Sequence, residues 1–341
     1  MKYPRIVLIL VLATGVDVFS QPAGVAPLFL EEGPLSMELG ISMKQMKKSS
    51  SDTVYFPTLL RYKNEQGTWD SLRIRVRARG NFRRKYCNFP PLRIKISKTD
   101  ARGSVFAGTK NLKLVIPCQT AKSYQELIFR EFLCYKLFEP ITRFAFSTRL
   151  VNMKLTDLDS KSGKKFELTG FFIEDDDAVA RRLDAVAKDD VKLHPMHLQD
   201  TNALRLDHFQ YMIANSDFST TFLHNVKVLQ TKSNQKIALP YDFDMAGLVN
   251  ASYATFDESL GIQSVRERVY KGFCRDEQLS QYVRQEFVRL EPTFKEVISH
   301  YGHYFDAKEL AGIQKFIDSF FEILGDDSYY RTNILLKCRE R

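Results

Sequence analysis

The first half of the chain shows mostly the alternation of apolar and polar residues that is typical of β-strands. Short runs that are rich in β-branched or aromatic residues and bounded by Gly, Pro or Asn predict strands over 53–62, 70–79, 91–97, 111–116, 146–156 and 166–174. Between the fourth and the fifth run the period changes. The apolar residues of 122–138 recur at helical spacing, and Pro140 ends this predicted helix. We therefore expect a β-rich unit that one helix crosses.

The second half has mainly the periodicity of amphipathic helices. Helices are predicted over 176–188, 203–214, 277–297 and 307–324, and one hairpin with strands over 222–230 and 236–244. The change in pattern places a boundary near residue 175. The sequence therefore predicts an α+β fold with two lobes. The mostly β N-terminal lobe would comprise residues 21–175, and the mostly α C-terminal lobe with its embedded β-hairpin residues 176–341.

Composition and the first residues indicate a folded, exported protein. Of the 341 residues 44% are hydrophobic, enough to bury a substantial core. Two basic residues precede an apolar run over 6–16, and small residues precede Gln21, which is the layout of a secretory signal peptide over residues 1–20. We expect a periplasmic or extracellular location. No later apolar stretch in the sequence is long enough for a transmembrane helix, and the oligomeric state stays open.

The charge balance indicates the class of partner without identifying one. The formal net charge of +9 favours phosphate, polyanions or an anionic envelope as partners. Nucleic acid is not expected, because no recognisable nucleic-acid-binding module accompanies the charge. A phosphorylated small molecule, or an acceptor on a protein or on the envelope, fits the balance better.

The cysteines allow a disulfide but do not define one. No CxxC motif is present, so a structural zinc site is not expected. Cys87 and Cys118, at the ends of predicted strands, are the first-choice disulfide pair in an exported protein. The alternative that all the cysteines are reduced and buried stays equally open. The five are Cys87, Cys118, Cys134, Cys274 and Cys338.

Four arginines alternate with apolar residues along one predicted strand. Because side chains in a strand have a period of two, these arginines share one face. They are Arg73, Arg75, Arg77 and Arg79. The following Gly80-Asn81 turn adds backbone N–H groups, so this segment could bind phosphate oxygens. The alternative is an ordinary solvated sheet face. Lys95, in the next predicted strand, could also reach phosphates.

Oxygen donors flank the predicted hairpin of the second half. Asp217 follows a predicted helix, Asn225 lies at the start of the hairpin, and Asp242 and Asp244 lie at its end in PYDFDMAG. Each residue alone could cap a helix or belong to a turn. Together they are the ligands that Mg²⁺ prefers, and they favour a metal and phosphate site of the kind used in phosphoryl transfer.

Six segments also occur in the order found in a known family. RARGNFRRK, VFAGTKNLKLVIP, YQELIFREFL, GFFIEDDD, NSDFSTTFLHN and PYDFDMAG span roughly residues 73–250. In this order the chain resembles the CotH-type spore-coat kinase family, an atypical branch of the protein-kinase-like fold. It is also similar to a family of exported bacterial proteins that share RGNFRR and FPPLRI segments. The resemblance implies a two-lobed, protein-kinase-like fold, Mg²⁺ or Mn²⁺, and ATP or another nucleotide.

The resemblance also implies roles on the nucleotide side of a site. Lys95 would hold the phosphates, with Glu126 as its partner on the helix over 122–138. Glu174 would lie at the hinge between the lobes, near the base. The turn on the phosphate side would consist of Arg79, Gly80 and Asn81. Glu131, on the same helix as Glu126, is expected on an ordinary solvated face.

On the catalytic side the resemblance implies phosphoryl transfer to a protein hydroxyl or an envelope component. Asp217 would orient or deprotonate the acceptor hydroxyl, Asn225 and Asp242 would hold the metal, and Asp244 would be a second ligand. The alternative is an inactive binding module. Its acids would be structural, and the arginine-rich sheet face would hold an anionic envelope polymer or a partner protein.

Overall fold

The computed structural model describes residues 24–48, 53–80, 82–188 and 193–340. The predicted signal peptide over 1–20 and the predicted turn residue Asn81 lie outside these residues. The strands are β1 (Leu35–Ile41), β2 (Phe56–Lys63), β3 (Trp69–Ala78), β4 (Leu92–Ile96), β5 (Asn111–Val115), β6 (Thr148–Asp157), β7 (Lys165–Ile173), β8 (Ala185–Lys188), β9 (Val226–Thr231) and β10 (Lys236–Pro240). The α-helices are α1 (Met43–Lys48), α2 (Phe82–Tyr86), α3 (Lys98–Ala101), α4 (Lys122–Phe138), α5 (Asp176–Arg182), α6 (Asp200–Met212), α7 (Glu277–His300), α8 (Ala307–Gly325) and α9 (Asp327–Asn333).

Seven of these strands form a closed barrel in the order β1-β2-β3-β4-β5-β7-β6. β1 pairs antiparallel with β2 and parallel with β6, and this second pairing closes the barrel. The alternation predicted for β3 is confirmed, because Leu72, Ile74 and Val76 are buried in the barrel core whereas Arg73 and Arg75 are exposed. The barrel therefore presents the basic residues of β3 on its outer surface.

A second apolar core lies between the outside of the barrel and the helices. Phe172 of β7 belongs to the core inside the barrel, while its neighbour Phe171 belongs to the outer core. The outer core continues without a break through Phe132 of α4 and Phe209 of α6 to Phe287 of α7. The small sheet β10-β9-β8 packs against α6, which contacts the strand β10.

The predicted two-lobed, protein-kinase-like fold is wrong. Most predicted elements exist, but β1, which was not predicted, closes the sheet into a barrel. The outer apolar core then joins the barrel to the C-terminal helices. In a two-lobed fold, each lobe would have a core of its own. The helix predicted over 176–188 is also partly wrong. It ends at Arg182, and β8 follows as a third strand beside the hairpin.

Two observations bear on the predicted export. The first-choice disulfide Cys87–Cys118 is present, so the alternative of five reduced cysteines is wrong. A second disulfide, Cys274–Cys338, was not predicted, and Cys134 is a buried free thiol. Two disulfides are compatible with an exported protein. In the described part of the chain, no helix has both the length and the apolar character needed to cross a membrane.

Candidate functional site

The β9–β10 hairpin and the loop before it bring the predicted oxygen donors together. Asp217 lies in the loop after α6, Asn225 immediately precedes β9, and Asp242 follows β10. The N–H of Tyr241 donates to the carbonyl oxygen of Asn225 at 3.0 Å, so the two ends of the hairpin are adjacent. Asp242 in turn acts electrostatically on both Asp217 and Asp244.

A tight turn explains how Asp217 and Asn225 meet although eight residues separate them. The backbone N–H groups of Ser219 and His224 each donate to the carbonyl oxygen of the other at 3.0 Å, which closes the loop. The amide Nδ2 of Asn225 then donates to the carbonyl oxygen of Asp217 at 2.8 Å and to its Oδ2 at 2.9 Å. His224 Nε2 lies 3.0 Å from the other carboxylate oxygen, Oδ1. Both oxygens of Asp217 are therefore held in place.

The environment of Asp217 perturbs its carboxyl group. Burial raises the pKa of Asp217, the neighbouring His224 lowers it, and the charge of Asp242 raises it. Lys271 fixes the backbone here, because its Nζ donates to the carbonyl oxygens on both sides of Asp217, at 2.6 and 2.9 Å. A carboxyl with a raised pKa in a fixed position is suited to accept a proton from a bound hydroxyl.

Two of the oxygen donors have a left-handed backbone. Asn225 has φ +52° and Asp242 has φ +64°. Asn and Asp tolerate this region better than most residues, but a non-glycine residue there still costs about 1–3 kcal/mol. The N–H of Asp242 donates to the hydroxyl of Tyr135 on α4 at 2.9 Å, which fixes its conformation from the apolar core. Such strain is concentrated at functional sites.

Behind the hairpin lies a buried cluster of charged groups around Arg83 of α2. Its Nη1 is 3.7 Å from Oε2 of Glu131, and its Nε is 4.0 Å from Oδ2 of Asp244. The hydroxyl of Tyr253 donates to the same Oδ2 of Asp244 at 3.4 Å. Glu131 is only 2% exposed, so the expectation that it lies on a solvated helix face was wrong. The surface of α4 from Glu131 to Tyr135 is buried on all sides, and helical periodicity alone could not indicate this.

One guanidinium does not balance the carboxyls of this cluster. Burial and the charge of Asp242 raise the pKa of Asp244 to about 7, against the effect of Arg83. Burial and the charge of Asp244 likewise raise the pKa of Glu131. Among the described residues, Glu131 Oε1 and Arg83 Nε have no hydrogen-bond partner. A buried polar atom without a partner is costly. The unpartnered Glu131 oxygen and the mutual repulsion of the carboxyls suit the cluster to a further cation.

These side chains could hold a metal ion only if water or a bound phosphate supplied the remaining oxygen ligands. Among the described residues, no three His, Cys, Asp or Glu side chains are arranged to hold a metal ion by themselves. Mg²⁺, however, is usually bound by one or two carboxylates together with waters and substrate phosphates. Asp242 and Asp244 would supply these carboxylates. The Nδ2 of Asn225 holds Asp217, so only its Oδ1 could ligate the metal.

A buried lysine that the sequence analysis missed pairs with Asp176 of α5. Lys113 of β5 is 3% exposed, and its Nζ is 3.4 Å from Oδ1 of Asp176 and 4.9 Å from the ring centre of Tyr241. Burial lowers the pKa of Lys113 to about 8, Asp176 opposes this, and the charge of Arg79 lowers it further. Arg79 also acts on Glu131, so it connects the lysine with the acid cluster. The only sequence signal was a lysine in the apolar run NLKLVI.

The residues predicted on the nucleotide side have other partners. The Nζ of Lys95 lies 4.3 Å from the ring centre of Tyr55. Glu126 pairs with Lys122 at 3.5 Å, one turn away on α4. Glu174 is buried and binds Arg182 at 3.0 Å. Gly80 is exposed with φ +79°, as a tight turn requires. None of these contacts tests a nucleotide-binding role, so the roles predicted for these residues stay predictions.

No model of a known protein family and no curated protein matches this sequence. The function is therefore inferred from the geometry of the site.

Proposed function

We propose that the protein is exported and binds a phosphorylated ligand, ATP or another nucleotide, together with Mg²⁺ or Mn²⁺. We propose further that it transfers a phosphoryl group to a hydroxyl of a protein or an envelope component. The observation that carries this proposal is the convergence of Asp217, Asp242 and Asp244 at one hairpin. Arg83 lies 4.0 Å from Asp244, and Arg79 acts on Tyr241, the neighbour of Asp242. Carboxylates held together repel each other, and a divalent cation removes that repulsion. The adjacent cations suit the phosphate oxygens.

The chain's own residues would divide the work of such a transfer. Asp242 and Asp244 would hold the metal, which supplies charge neutralisation at the phosphoryl oxygens. Asp217, positioned by His224 and Asn225, would accept the proton of the acceptor hydroxyl. The hydroxyl oxygen would form its bond to phosphorus while the bond to the leaving phosphate breaks.

Thermal unfolding of the mature protein, residues 21–341, tests the proposal. ATP at a hundred times its dissociation constant should stabilise the native state by about 2.7 kcal/mol, and only with Mg²⁺ or Mn²⁺ present. Asp242→Asn should abolish this stabilisation, because it removes the carboxylate yet tolerates the left-handed backbone. A suitable control is Asp184→Asn. Asp184 has a similar φ of +54° and an exposed carboxylate that pairs with Lys232. Metal-independent stabilisation, or stabilisation that survives in Asp242→Asn, would refute the proposal.

The outer face of the barrel favours a second candidate function, the binding of an anionic polymer. In register, Arg75 lies opposite Lys95 and Arg77 opposite Arg93. Like charges directly opposite each other destabilise a sheet, and a bound polyanion would relieve this. The basic side chains of β3 and β4 thus form one surface across two strands.

Binding to immobilised polyphosphate would separate the two functions. Polymer binding at the barrel surface should fall steeply with salt and should persist in EDTA. Arg75→Gln should weaken it and Asp242→Asn should not. Binding that requires a divalent cation, or that Arg75→Gln leaves unchanged, would exclude this surface as the polymer site.

A further inference from the structure

The short helix α2 carries two stacked aromatic rings that are open to solvent. The ring centres of Phe82 and Tyr86 are 5.2 Å apart, and their planes differ by 17°. The two residues are 43% and 51% exposed. Neighbouring aromatic residues one turn apart stabilise a helix by only a few tenths of a kcal/mol. Helix stability alone is therefore a weak reason to expose so much aromatic surface.

The rest of the structure holds this aromatic pair rigidly. Arg83, which lies between Phe82 and Tyr86 in the sequence, is buried and donates to the carbonyl oxygen of Ile116. Cys87, the residue after Tyr86, forms the disulfide with Cys118. Anchors on both sides fix the orientation of α2 before any ligand arrives, and such preorganisation reduces the entropic cost of binding.

The aromatic surface continues to the acid cluster of the candidate site. The ring of Tyr253 lies 6.0 Å from the rings of both Phe82 and Tyr86. The hydroxyl of Tyr253 donates to Asp244. We call Phe82, Tyr86 and Tyr253 the aromatic platform. Its inner end therefore contacts a proposed metal ligand, and its outer end is exposed.

We infer that the aromatic platform stacks the planar heteroaromatic base of a nucleotide. The phosphates of this nucleotide would lie at the divalent cation that Asp242 and Asp244 are proposed to hold. This inference rests on the proposed function and names the ligand class for it. Aromatic side chains stack any base, because every base has a π face. The basic Lys85 on α2 suits an anionic ligand. Glu174, which was expected near the base, is instead buried against Arg182.

Three ligands distinguish binding at the platform from binding at the phosphate site. ATP has a ring and phosphates, tripolyphosphate has no ring, and adenosine has no phosphate. Each is titrated with Mg²⁺ into the full mature protein by calorimetry, and adenosine also by saturation-transfer NMR. The variants are Phe82→Ala and Tyr86→Ala, whose half-exposed side chains can be removed without opening the core. The control is Tyr329→Ala, because Tyr329 is 58% exposed on α9.

We expect each platform variant to bind ATP about tenfold more weakly, which is about 1.4 kcal/mol. Tripolyphosphate affinity and the control variant should be unchanged. Unchanged ATP affinity in both platform variants would overturn the inference. Equal weakening of ATP and tripolyphosphate would also overturn it, since the rings would then only support the phosphate site.

If the proposed function is wrong, the same titrations give a different result from the one expected when only the platform is wrong. If wild-type protein binds neither ATP nor tripolyphosphate, the metal and phosphate proposal is wrong, and adenosine decides the platform. Saturation transfer to adenosine that is lost in Tyr86→Ala would still support ring stacking. The absence of transfer in wild-type protein would overturn it.

Discussion

Asp207 of α6 provides a quantitative test of how burial controls the charges in this protein. Its side chain is 6% exposed, and burial raises its pKa from 3.8 to about 7 against the opposing charge of Arg339. Between these two pH values the folded protein keeps the proton that the unfolded chain has lost. The contribution of Asp207 to stability is therefore greatest below about pH 4 and is lost as the pH rises to about 7. Asp207→Asn removes the titration and keeps the size of the side chain.

The magnitude follows from the pKa difference. Each pH unit inside this window costs the wild type about 1.36 kcal/mol relative to a neutral side chain. From about pH 5 to the folded pKa of about 7, the stability of wild type should fall by about 2 kcal/mol relative to Asp207→Asn, since the side chain is already half ionised at that pKa. Above that pKa the difference should level off. The buried amide of asparagine adds a cost, but this cost is the same at every pH and does not change the slope.

Urea unfolding in EDTA at a series of pH values measures this difference directly. Linear extrapolation gives the free energy of unfolding of both proteins, and only their difference is used. Asp318→Asn on α8 is a control for the loss of a carboxylate, because Asp318 is half exposed and lies 3.7 Å from Lys295. A difference between wild type and Asp207→Asn that stays constant across this range would refute the reasoning from burial.

The remaining predictions concern the candidate site and its supports. Asp217→Asn should abolish phosphoryl transfer, measured with labelled ATP, and should leave metal-dependent ATP binding in place; surviving transfer would remove Asp217 from its role. Lys271→Met should lower stability by about 1–3 kcal/mol and slow phosphoryl transfer, because two carbonyl oxygens beside Asp217 lose their donor. Replacing both Cys274 and Cys338 by Ser should cost up to about 4 kcal/mol in urea unfolding, since the disulfide closes a loop with a sequence separation of 64; an unchanged midpoint would contradict this.

Local pattern predicted most elements of the fold but not their arrangement. The strands over 70–79 and 91–97 and the helix over 122–138 all exist, because their signals lie in neighbouring residues. The barrel depends on β1, which pairs with β6 more than a hundred residues later in the chain. A seven-residue strand such as β1 gives little local signal, and no local pattern indicates its parallel partner. The wrong fold followed from that one missing strand.

The candidate site shows the same limit. The grouping of Asp217, Asn225 and Asp242 could be predicted because one hairpin connects them. Glu131 and Lys113 could not be assigned, because their burial depends on contacts with α2, α5 and the hairpin that come from distant parts of the chain. A charged residue in an apolar run is the one available signal, and it does not distinguish a buried charge from a solvated one.

The charge balance explains why metal and phosphate should bind together. Asp217, Asp242, Asp244 and Glu131 carry four acidic groups, and Arg83 is the cation that contacts two of them. Phosphate alone would meet repulsion from these acids, and a divalent cation alone would find too few ligands to be held well. Each partner supplies what the other lacks, so each should raise the affinity of the other by the same factor. Calorimetric titration of ATP into the protein with and without Mg²⁺, each corrected by the same titration into buffer, measures that factor. Equal affinities in both titrations would show that the acids do not form a joint site.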